Sequence, residues 1–429
     1  MDVEQFTVEV RDANLVRVGQ FTAKDLTDFL VVPRANQVGS WSIKLPANVI
    51  SDAGVESPHI LCNELRIPGS GIIVTGPGGV ILSGPMVSPT YDASTSDPGG
   101  TWTIEGVSDL ILLADALAWG DPSTYSLTNQ NTSNDVQTDV AETLIHSYLS
   151  RNIGADAVTE RANARLVSAT DQGRGPVLQK SPRFQNLLEL VQEIVTGTDL
   201  LVDVVQVDEQ LELRVTESAD LSLAVRMDIE NDQLSSSQFH YTAPGVTDVL
   251  VAGMGDGVAR TIINRSNATA QAASAAWGRR IERFVDQRQT DVLAELEQAG
   301  DELLATEGDT VKAFQVVPNS NLGLVYGINW SVGAKVTIVI QGVESVAVTS
   351  EAPISITKEG VFVGATIGNS VSAFDWESII ETKQSTLDAR VSSLETAGSG
   401  SSGGAFGNLD NGFPNSTFGG VTAIDCGGI

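Results

Sequence analysis

Hydrophobic and polar residues alternate in the first part of the chain, which predicts β structure from residue 1 to about 118. Phe6, Val8 and Val10 alternate with polar residues, as expected of strands with one buried face. Two β-branched runs, residues 72–74 and 80–82, flank a turn of glycine and proline and so predict a hairpin. Ser108 is then expected to cap a short apolar helix that ends near Leu117.

The pattern becomes partly helical in the middle of the chain. Residues 119–180 are polar and carry one helical face, from Val140 to Leu149, so we interpret them as a polar helical insertion. Residues 181–244 predict an α+β peripheral domain. Its helix is expected to start at Ser181 and Pro182, and two strands should follow over residues 200–207 and 211–215.

Residues 245–370 predict a second β region. A strand, a glycine turn and another strand occupy residues 249–264, and β structure is expected again from Val311 to Ile367. Between them, a long polar helix is predicted over about residues 288–306, with Leu296 and Leu303 opposite acidic side chains.

The last part of the chain changes character twice. Residues 371–396 have heptad-like spacing and predict a short coiled coil, with residues 397–429 as a glycine-rich tail. Two heptads are too short to be stable alone, so the coil requires chains that are already held together elsewhere. The predicted trimer seam consists of Ile380, Gln384, Leu387, Val391 and Leu394.

The charge balance limits the class of partner. The chain has 54 acidic and 25 basic side chains and a net charge of −29, which argues against specific nucleic-acid binding and against an anionic membrane surface. No run is apolar and long enough to span a membrane, and the first residues do not resemble a signal peptide. We therefore expect that the chain does not insert into a membrane and that it is synthesised in a cytoplasm.

The residues do not suggest a reaction centre. Three histidines lack metal-ligand spacing, and Cys62 lies in a strand-like stretch that favours a buried thiol. The run from Gly253 to Gly257 has G-x-G-x-G spacing and strand-like residues after it. A hairpin turn explains it better than a dinucleotide loop. No catalytic residue, cofactor or metal is expected, although 54 acids leave a carboxylate pair for glycoside hydrolysis open.

One basic cluster interrupts the acidic chain. We interpret it as pairing with acids of this chain or of a neighbouring subunit, because the overall charge repels phosphate. The cluster consists of Arg279, Arg280, Arg283 and Arg288.

Several segments together resemble the tail-hub (minor tail) proteins of long-tailed phages that infect actinobacteria. The resemblance covers most of residues 1–370, and Ala334 departs from the Gly-Asp that this family often has there. The residues that carry it are 105–109 (EGVSD) with Leu112 and Leu113, 184–190 (FQNLLEL), 251–257 (VAGMGDG) with Arg260, 277–282 (WGRRIE) with Phe284, and 326–333 (YGINWSVG). The segment 407–413 (GNLDNGF) is also similar to the termini of such proteins.

The resemblance implies a mostly β, α+β structural protein of the virion tail tip. Such hubs are similar to the trimeric baseplate hub of contractile phages. Residues 1–118 and 245–370 would form two β-barrel-like tube domains, so that a homotrimer presents a pseudo-sixfold ring. The ring would contact the tail tube or distal tail protein above and tip or fibre proteins below. An acidic lumen would repel DNA during ejection.

Two alternatives remain at this stage. One is a cell-wall hydrolase of the tail tip, and the other is a receptor-binding tail protein that acts through its glycine-rich end.

Overall fold

The computed structural model describes residues 5–368, apart from residues 23, 27, 51–55, 96–98, 129, 256, 289, 320–322 and 359. The predicted coiled-coil segment and glycine-rich tail lie outside this described part. The predicted seam residues that lie outside it are Ile380, Gln384, Leu387, Val391 and Leu394.

The described chain is mostly β, with six short to medium helices. The helices are α1 (Ile60–Leu65), α2 (Ile111–Ala114), α3 (Ala141–Asn152), α4 (Leu187–Val195), α5 (Ala268–Trp277) and α6 (Leu293–Glu307). The first strands are β1 (Thr7–Arg11), β2 (Arg17–Gln20), β3 (Asp28–Val32), β4 (Ser40–Pro46), β5 (Asn48–Ile50), β6 (Glu56–Pro58), β7 (Gly71–Gly76), β8 (Gly79–Asp92) and β9 (Thr101–Val107). The central strands are β10 (Leu117–Ala118), β11 (Gln137–Val140), β12 (Leu166–Ser168), β13 (Val177–Lys180), β14 (Gln185–Asn186), β15 (Leu200–Val207), β16 (Gln210–Glu217), β17 (Arg226–Asp228) and β18 (Leu234–Thr242). The last strands are β19 (Asp248–Ala252), β20 (Ile262–Arg265), β21 (Glu282–Asp286), β22 (Val311–Pro318), β23 (Lys335–Ile340), β24 (Val343–Glu351), β25 (Ile354–Thr357), β26 (Gly360–Val363) and β27 (Ala365–Gly368).

The larger sheet has nine strands in the order β2-β1-β7-β8-β9-β4-β3-β25-β26. All its neighbours are antiparallel. Alternation sets its inner face: in β4 the side chains of Trp41, Ile43 and Leu45 are buried, while those between them are not. The predicted hairpin of residues 72–82 is confirmed as β7 and β8.

Strands β8 and β9 approach each other closely at two glycines. A Cβ on Gly84 would lie 1.7 Å from the carbonyl oxygen of Val107, and one on Gly106 would lie 2.3 Å from the carbonyl oxygen of Pro85. Only a residue without a side chain fits at either position.

The second large sheet has six strands in the order β17-β23-β24-β27-β22-β18. The β17–β23 pair is parallel and the others are antiparallel. Its inner face joins that of the nine-stranded sheet in one hydrophobic cluster, in which Trp330 is buried and donates its indole N–H to the carbonyl of Leu324 at 3.1 Å. The sheets curl into half-barrels. Closure into two barrel domains stays a prediction.

One bent hairpin belongs to both large sheets. Glu351 of β24 pairs with Thr366 of β27, and Ile354 of β25 pairs with Val363 of β26, so the two ladders keep one register. The bend falls at Pro353, whose carbonyl accepts the amide of Gly364 at 2.8 Å. Because β25 also pairs with β3 and β27 with β22, the hairpin joins the two sheets. The domain boundaries stay a prediction, but β25 and β26 lie in the sheet of the first range.

Two smaller units with their own hydrophobic clusters accompany the large sheets. The first combines α2, α3 and α4 with the sheet β12-β16-β15. The second combines α5 and α6 with the sheet β20-β19-β21. Lys180 of the first unit lies 3.1 Å from Glu302 on α6 and 3.5 Å from Glu193 on α4, so it bridges the two units.

Three predicted helix starts need correction. Asn186 caps α4 by accepting the amides of Leu188 and Glu189, so the helix does not begin at Ser181 and Pro182. Helix α2 covers only four residues and has Leu110 as its N-cap residue. Ser108 does not cap it, because the Ser108 hydroxyl accepts the Gly39 amide at 2.9 Å. Helix α6 begins at Leu293 and not near residue 288.

No helix among the described residues is both long and apolar enough to cross a membrane.

Candidate functional site

A buried polar network joins the nine-stranded sheet to the α2–α4 unit. Arg11 on β1 donates two hydrogen bonds to the carboxylate of Asp109, at 2.8 and 2.5 Å, and both side chains are only 3% exposed. The Ser83 hydroxyl donates to the same carboxylate at 2.6 Å. A bidentate arginine contact of this kind fixes orientation as well as distance.

Gln206 on β15 extends the network across the junction. Its side-chain oxygen accepts from Arg11 at 2.9 Å, and its amide nitrogen donates to the carbonyls of Leu15 and Asp208, both at 2.6 Å. Its backbone N–H donates to the Ser83 hydroxyl at 2.7 Å. The network therefore holds strands β1, β8 and β15 in one arrangement. Asp109, which belongs to a segment that carries the family resemblance, is a structural anchor.

The glycine-rich run after β19 is a hairpin turn, as predicted. Strands β19 and β20 pair antiparallel across it, and a short 3-10 turn, Gly257–Ala259, lies within it. Arg260 donates to the carbonyls of Ala252 and Gly253 at 2.9 and 2.7 Å and pairs with Asp286. The arginine beside this turn is therefore committed to structural contacts, and a strand follows where a dinucleotide site requires a helix.

His59 and Cys62 serve helix α1. The His59 Nδ1 atom accepts the Cys62 amide at 3.2 Å, and its Nε2 atom lies 3.3 Å from the carboxylate of Asp25. Burial raises the pKa of the Cys62 thiol, which disfavours the nucleophilic thiolate. The predicted buried thiol is confirmed, but the strand-like stretch predicted around it is wrong, because Cys62 lies in the first turn of helix α1, whose N-terminus is capped by His59.

The α2–α4 unit contains a cluster of possible metal ligands that was not predicted from the sequence. Three possible ligand atoms, one from each of Glu142, His146 and Asp171, lie within 4.8 Å of one another. Arg174, however, binds both oxygens of the Glu142 carboxylate, at 2.7 and 2.8 Å. The cluster thus already contains a cation, which would repel a metal ion at short range. The Glu-x-x-x-His spacing on one helix is the sequence signal that could have revealed it.

We expect Glu142→Gln to lower the free energy of unfolding by about 2 kcal/mol at pH 7, because Glu142 is buried and Arg174 loses its charged partner. Hydrogen bonds from Arg174 lower the pKa of Glu142 from 4.5 to about 2. A depressed carboxyl pKa stabilises the fold above the unfolded value and loses that contribution as pH falls.

The difference in the free energy of unfolding between wild type and Glu142→Gln should therefore have its full value above about pH 5 and become smaller between pH 4.5 and 2. Urea unfolding of both proteins across this range measures it. Asp156→Asn is a suitable control, because Asp156 is an exposed acid on the same unit. A difference that does not change with pH would show that the ion pair does not control it.

A cavity of about 300 Å³ lies where the β7–β8 turn, strand β15 and residues 326–332 meet. Asp203 lines it, and its carboxylate accepts a hydrogen bond from the backbone N–H of Val204 at 2.8 Å. Asp203 is exposed as a whole residue, but the protein around its carboxyl group shields that group from water and so raises its pKa to about 7. A larger groove of about 850 Å³ lies between β13 and α6, with the Lys180 bridge beside it.

The predicted basic cluster is divided in the structure. Arg280 lies 3.0 Å from Asp248 and from Glu282, and Arg288 lies 3.0 Å from Asp286. Arg279 and Arg283 are exposed and form no ion pair with other described residues. Two of the four arginines thus pair within the chain, and an inter-subunit role for the cluster stays a prediction.

An exposed row of aromatic side chains crosses from the six-stranded sheet to the α5 unit. Phe239 stacks on Phe314 with a 4.8 Å separation of ring centroids, and Tyr241 lies 5.3 Å from Phe239. Tyr241 also contacts Trp277 at 5.8 Å. The row follows β18, the end strand of its sheet. Nothing in the local sequence indicates this surface, because strand pairing and sheet order depend on residues far apart in the chain.

The fold has relatives among solved phage proteins. A 43 kDa tail protein of prophage MuSo2 from Shewanella oneidensis matches with a TM-score of 0.52 and 9% identity, covering 84% of this chain and 97% of that one. A tail protein from Neisseria meningitidis MC58 matches with a TM-score of 0.50 and 11% identity, covering 85% and 97%. The fold is therefore one that phage tail proteins adopt.

The sequence itself gives the family. Residues 7–369 match the model of the Siphovirus ReqiPepy6 Gp37-like proteins, and the chain belongs to this family. No individually curated protein matches the chain.

Proposed function

We propose that this chain is the structural hub of the tail tip of a long-tailed phage that infects actinobacteria. Three copies form a pseudo-sixfold ring, in which each chain supplies two β-rich tube segments. The observation that carries the proposal is the pair of large curled sheets with one shared core and one shared hairpin, in a chain of a siphovirus family. One chain thus provides two large sheets that are joined by a common core and a common hairpin.

The buried acids support a structural role over hydrolysis. Each buried carboxylate among the described residues accepts hydrogen bonds from protein groups, and the two with bidentate arginine partners are Asp109 and Glu142. Such contacts occupy these carboxylates, whereas a general acid in a hydrolase needs a raised pKa and access to substrate. Asp203 has a raised pKa and lines the cavity of about 300 Å³, but it is the single carboxylate among the described residues that line this cavity, and glycoside hydrolysis needs a pair of carboxylates. The buried acids that accept these bonds are Asp109, Asp121, Asp135, Glu142, Asp228 and Glu351.

The net charge of −29 suits a DNA exit path. Three chains multiply this charge, and a negative lumen repels phosphate and so avoids adhesion during ejection. The tail tube or distal tail protein lies above the ring, and tip or fibre proteins lie below it. A ring whose lumen is lined by arginine and lysine in a map of the tail would contradict this part of the proposal.

Light scattering of the purified full chain tests the copy number. We expect a particle of three times the 45.1 kDa chain mass, and a threefold position in a cryo-EM map of the tail. Replacing Leu387 and Val391 by aspartate should weaken the trimer, because charge in a predicted coiled-coil seam opposes its formation. A single copy per tail, together with a monomer at all concentrations, would contradict the hub.

A further inference from the structure

A groove of about 850 Å³ lies where the α2–α4 unit meets the unit of α5 and α6. Strand β13 forms one side of the groove, and helix α6 forms the other. Clefts between packed units are frequent binding sites, because side chains from two elements can contact one ligand there. The position of the groove therefore makes it a candidate site for a partner.

An apolar strip contributed by both units lines the groove. Leu178 on β13 is partly buried against the core of the α2–α4 unit. Val285, Ala299 and Leu303 are partly buried against the core of the other unit. Val177, at the start of β13, is 66% exposed. Apolar surface that is open to water gains free energy when a partner covers it, so the strip favours a partner with aliphatic side chains.

Acidic side chains border this apolar strip. The four carboxylate side chains that line the groove are 44% to 51% exposed, so that a partner can reach them, and they belong to Glu193, Glu297, Asp301 and Glu302. Lys180 is the single cation among the described residues that line the groove, and Arg265 pairs with Glu297 and Asp301 beside it. Four negative and two positive groups leave an excess of two negative charges, which favours a basic partner.

Two cations of the chain itself show how these acids hold a basic group. The Lys180 ammonium lies 3.1 Å from Glu302 and 3.5 Å from Glu193, and the lysine side chain is only 9% exposed. The Arg265 guanidinium lies 2.6 Å from Asp301 and 3.4 Å from Glu297. A carboxylate has about four acceptor positions, so each of these half-exposed acids can accept a further hydrogen bond from a partner.

We propose that this groove binds a polypeptide segment of a different protein, in which lysine or arginine lies next to aliphatic side chains. The aliphatic side chains cover Leu178 and Leu303, and the basic side chains pair with the acids at the border. A second copy of the chain does not suit the groove, because both copies carry a net charge of −29 and repel each other. The inference does not depend on the copy number of the proposed hub.

Binding of a synthetic peptide of lysine and leucine to the full chain tests the groove. Ala305→Lys adds a positive charge at an exposed position of the groove wall, one helical turn after Asp301. We expect this variant to raise the dissociation constant of the peptide at least about fivefold. Isothermal titration calorimetry measures it at about 0.15 M salt, where long-range attraction is screened.

Ala272→Lys is the matched control for this variant. Ala272 is an exposed alanine on helix α5, and it is not among the residues that line the groove. The same charge at this position should leave the dissociation constant unchanged. Ala305→Glu has a side chain of similar bulk and opposite charge, so it should bind the peptide more tightly than Ala305→Lys does. Equal binding by Ala305→Lys and Ala272→Lys would overturn the groove as the binding site.

Two further ligands separate specific binding from general attraction to an acidic chain. A lysine–serine peptide of the same length and charge lacks apolar side chains and should bind at least about fivefold more weakly than the lysine–leucine peptide. Spermine has positive charge without a polypeptide, and it should not displace the lysine–leucine peptide. Equal binding of the two peptides, or full displacement by spermine, would overturn an amphipathic polypeptide as the partner. The trimer mass expected of the hub is measured separately, so each of these results leaves that proposal standing.

Discussion

Replacing Asp109 by alanine is expected to lower the free energy of unfolding by about 3–5 kcal/mol, the usual cost of leaving a buried charge without its partner. Arg11 would keep its positive charge at 3% exposure, with only the Gln206 oxygen as a remaining acceptor at 2.9 Å. The hydroxyl of Ser83 would also lose its acceptor. Urea unfolding of the wild type and the variant at pH 7 measures the difference.

Two comparisons distinguish the loss of the ion pair from a nonspecific loss of stability. The double variant Arg11→Met/Asp109→Leu should be more stable than Asp109→Ala, because apolar replacement of both partners leaves no unpaired charge. Asp28→Ala removes the exposed Lys44–Asp28 pair, in which the side chains are 53% and 55% exposed, and should cost less than about 1 kcal/mol. Equal losses for Asp28→Ala and Asp109→Ala would refute the role of the buried network.

Replacing Gly84 by alanine is expected to cost at least about 3 kcal/mol, since the overlap requires a movement of the backbone and not only of a side chain. The new methyl group would lie 1.7 Å from the carbonyl oxygen of Val107. Separation of β8 from β9 would follow, and these strands form the middle of the nine-stranded sheet. Thermal and urea unfolding, together with the yield of folded protein, measure this loss.

Gly76→Ala is the matched control in the same hairpin. Its methyl group would meet the terminal Cδ1 atom of Ile81 at 2.5 Å, which a change of side-chain rotamer can relieve. A loss of less than about 1.5 kcal/mol is expected. If Gly84→Ala were as stable as Gly76→Ala, the inference that β8 and β9 are too close for a side chain at residue 84 would be wrong.

The local pattern of apolar and polar residues predicted those helices and strands whose buried face can be recognised from residues close together in the sequence. The hairpin of residues 72–82, the helix from Val140 to Leu149 and the strands after residue 200 all occur, because alternation and helical periodicity report which face is buried. Helix α5 was not predicted. Its alanine-rich sequence, ATAQAASAAW, has high helix propensity but little contrast between an apolar and a polar face.

Long-range pairing could not be predicted from the same patterns. Residues 354–357 have the composition of any buried strand, and nothing in them indicates that they pair with β3 near the start of the chain. The contacts of the candidate site could not be predicted for the same reason. The arginine cluster was visible as a run of like residues, whereas the contact of Arg11 with Asp109 and Gln206 joins residues far apart in sequence.

The bent hairpin has a mechanical consequence. Its two strands keep one register from the Glu351↔Thr366 pair to the Thr357↔Gly360 pair, with a register shift between Thr349 and Glu351. A pull that separates the sheets along the strand direction therefore loads the backbone hydrogen bonds of this segment in parallel. Because inter-strand hydrogen bonds of an antiparallel pair lie perpendicular to the strands, such a pull strains them together and not one at a time. Tension applied to one sheet is therefore transmitted to the other as a displacement of the whole body, with Pro353 and Gly364 at the point of bending.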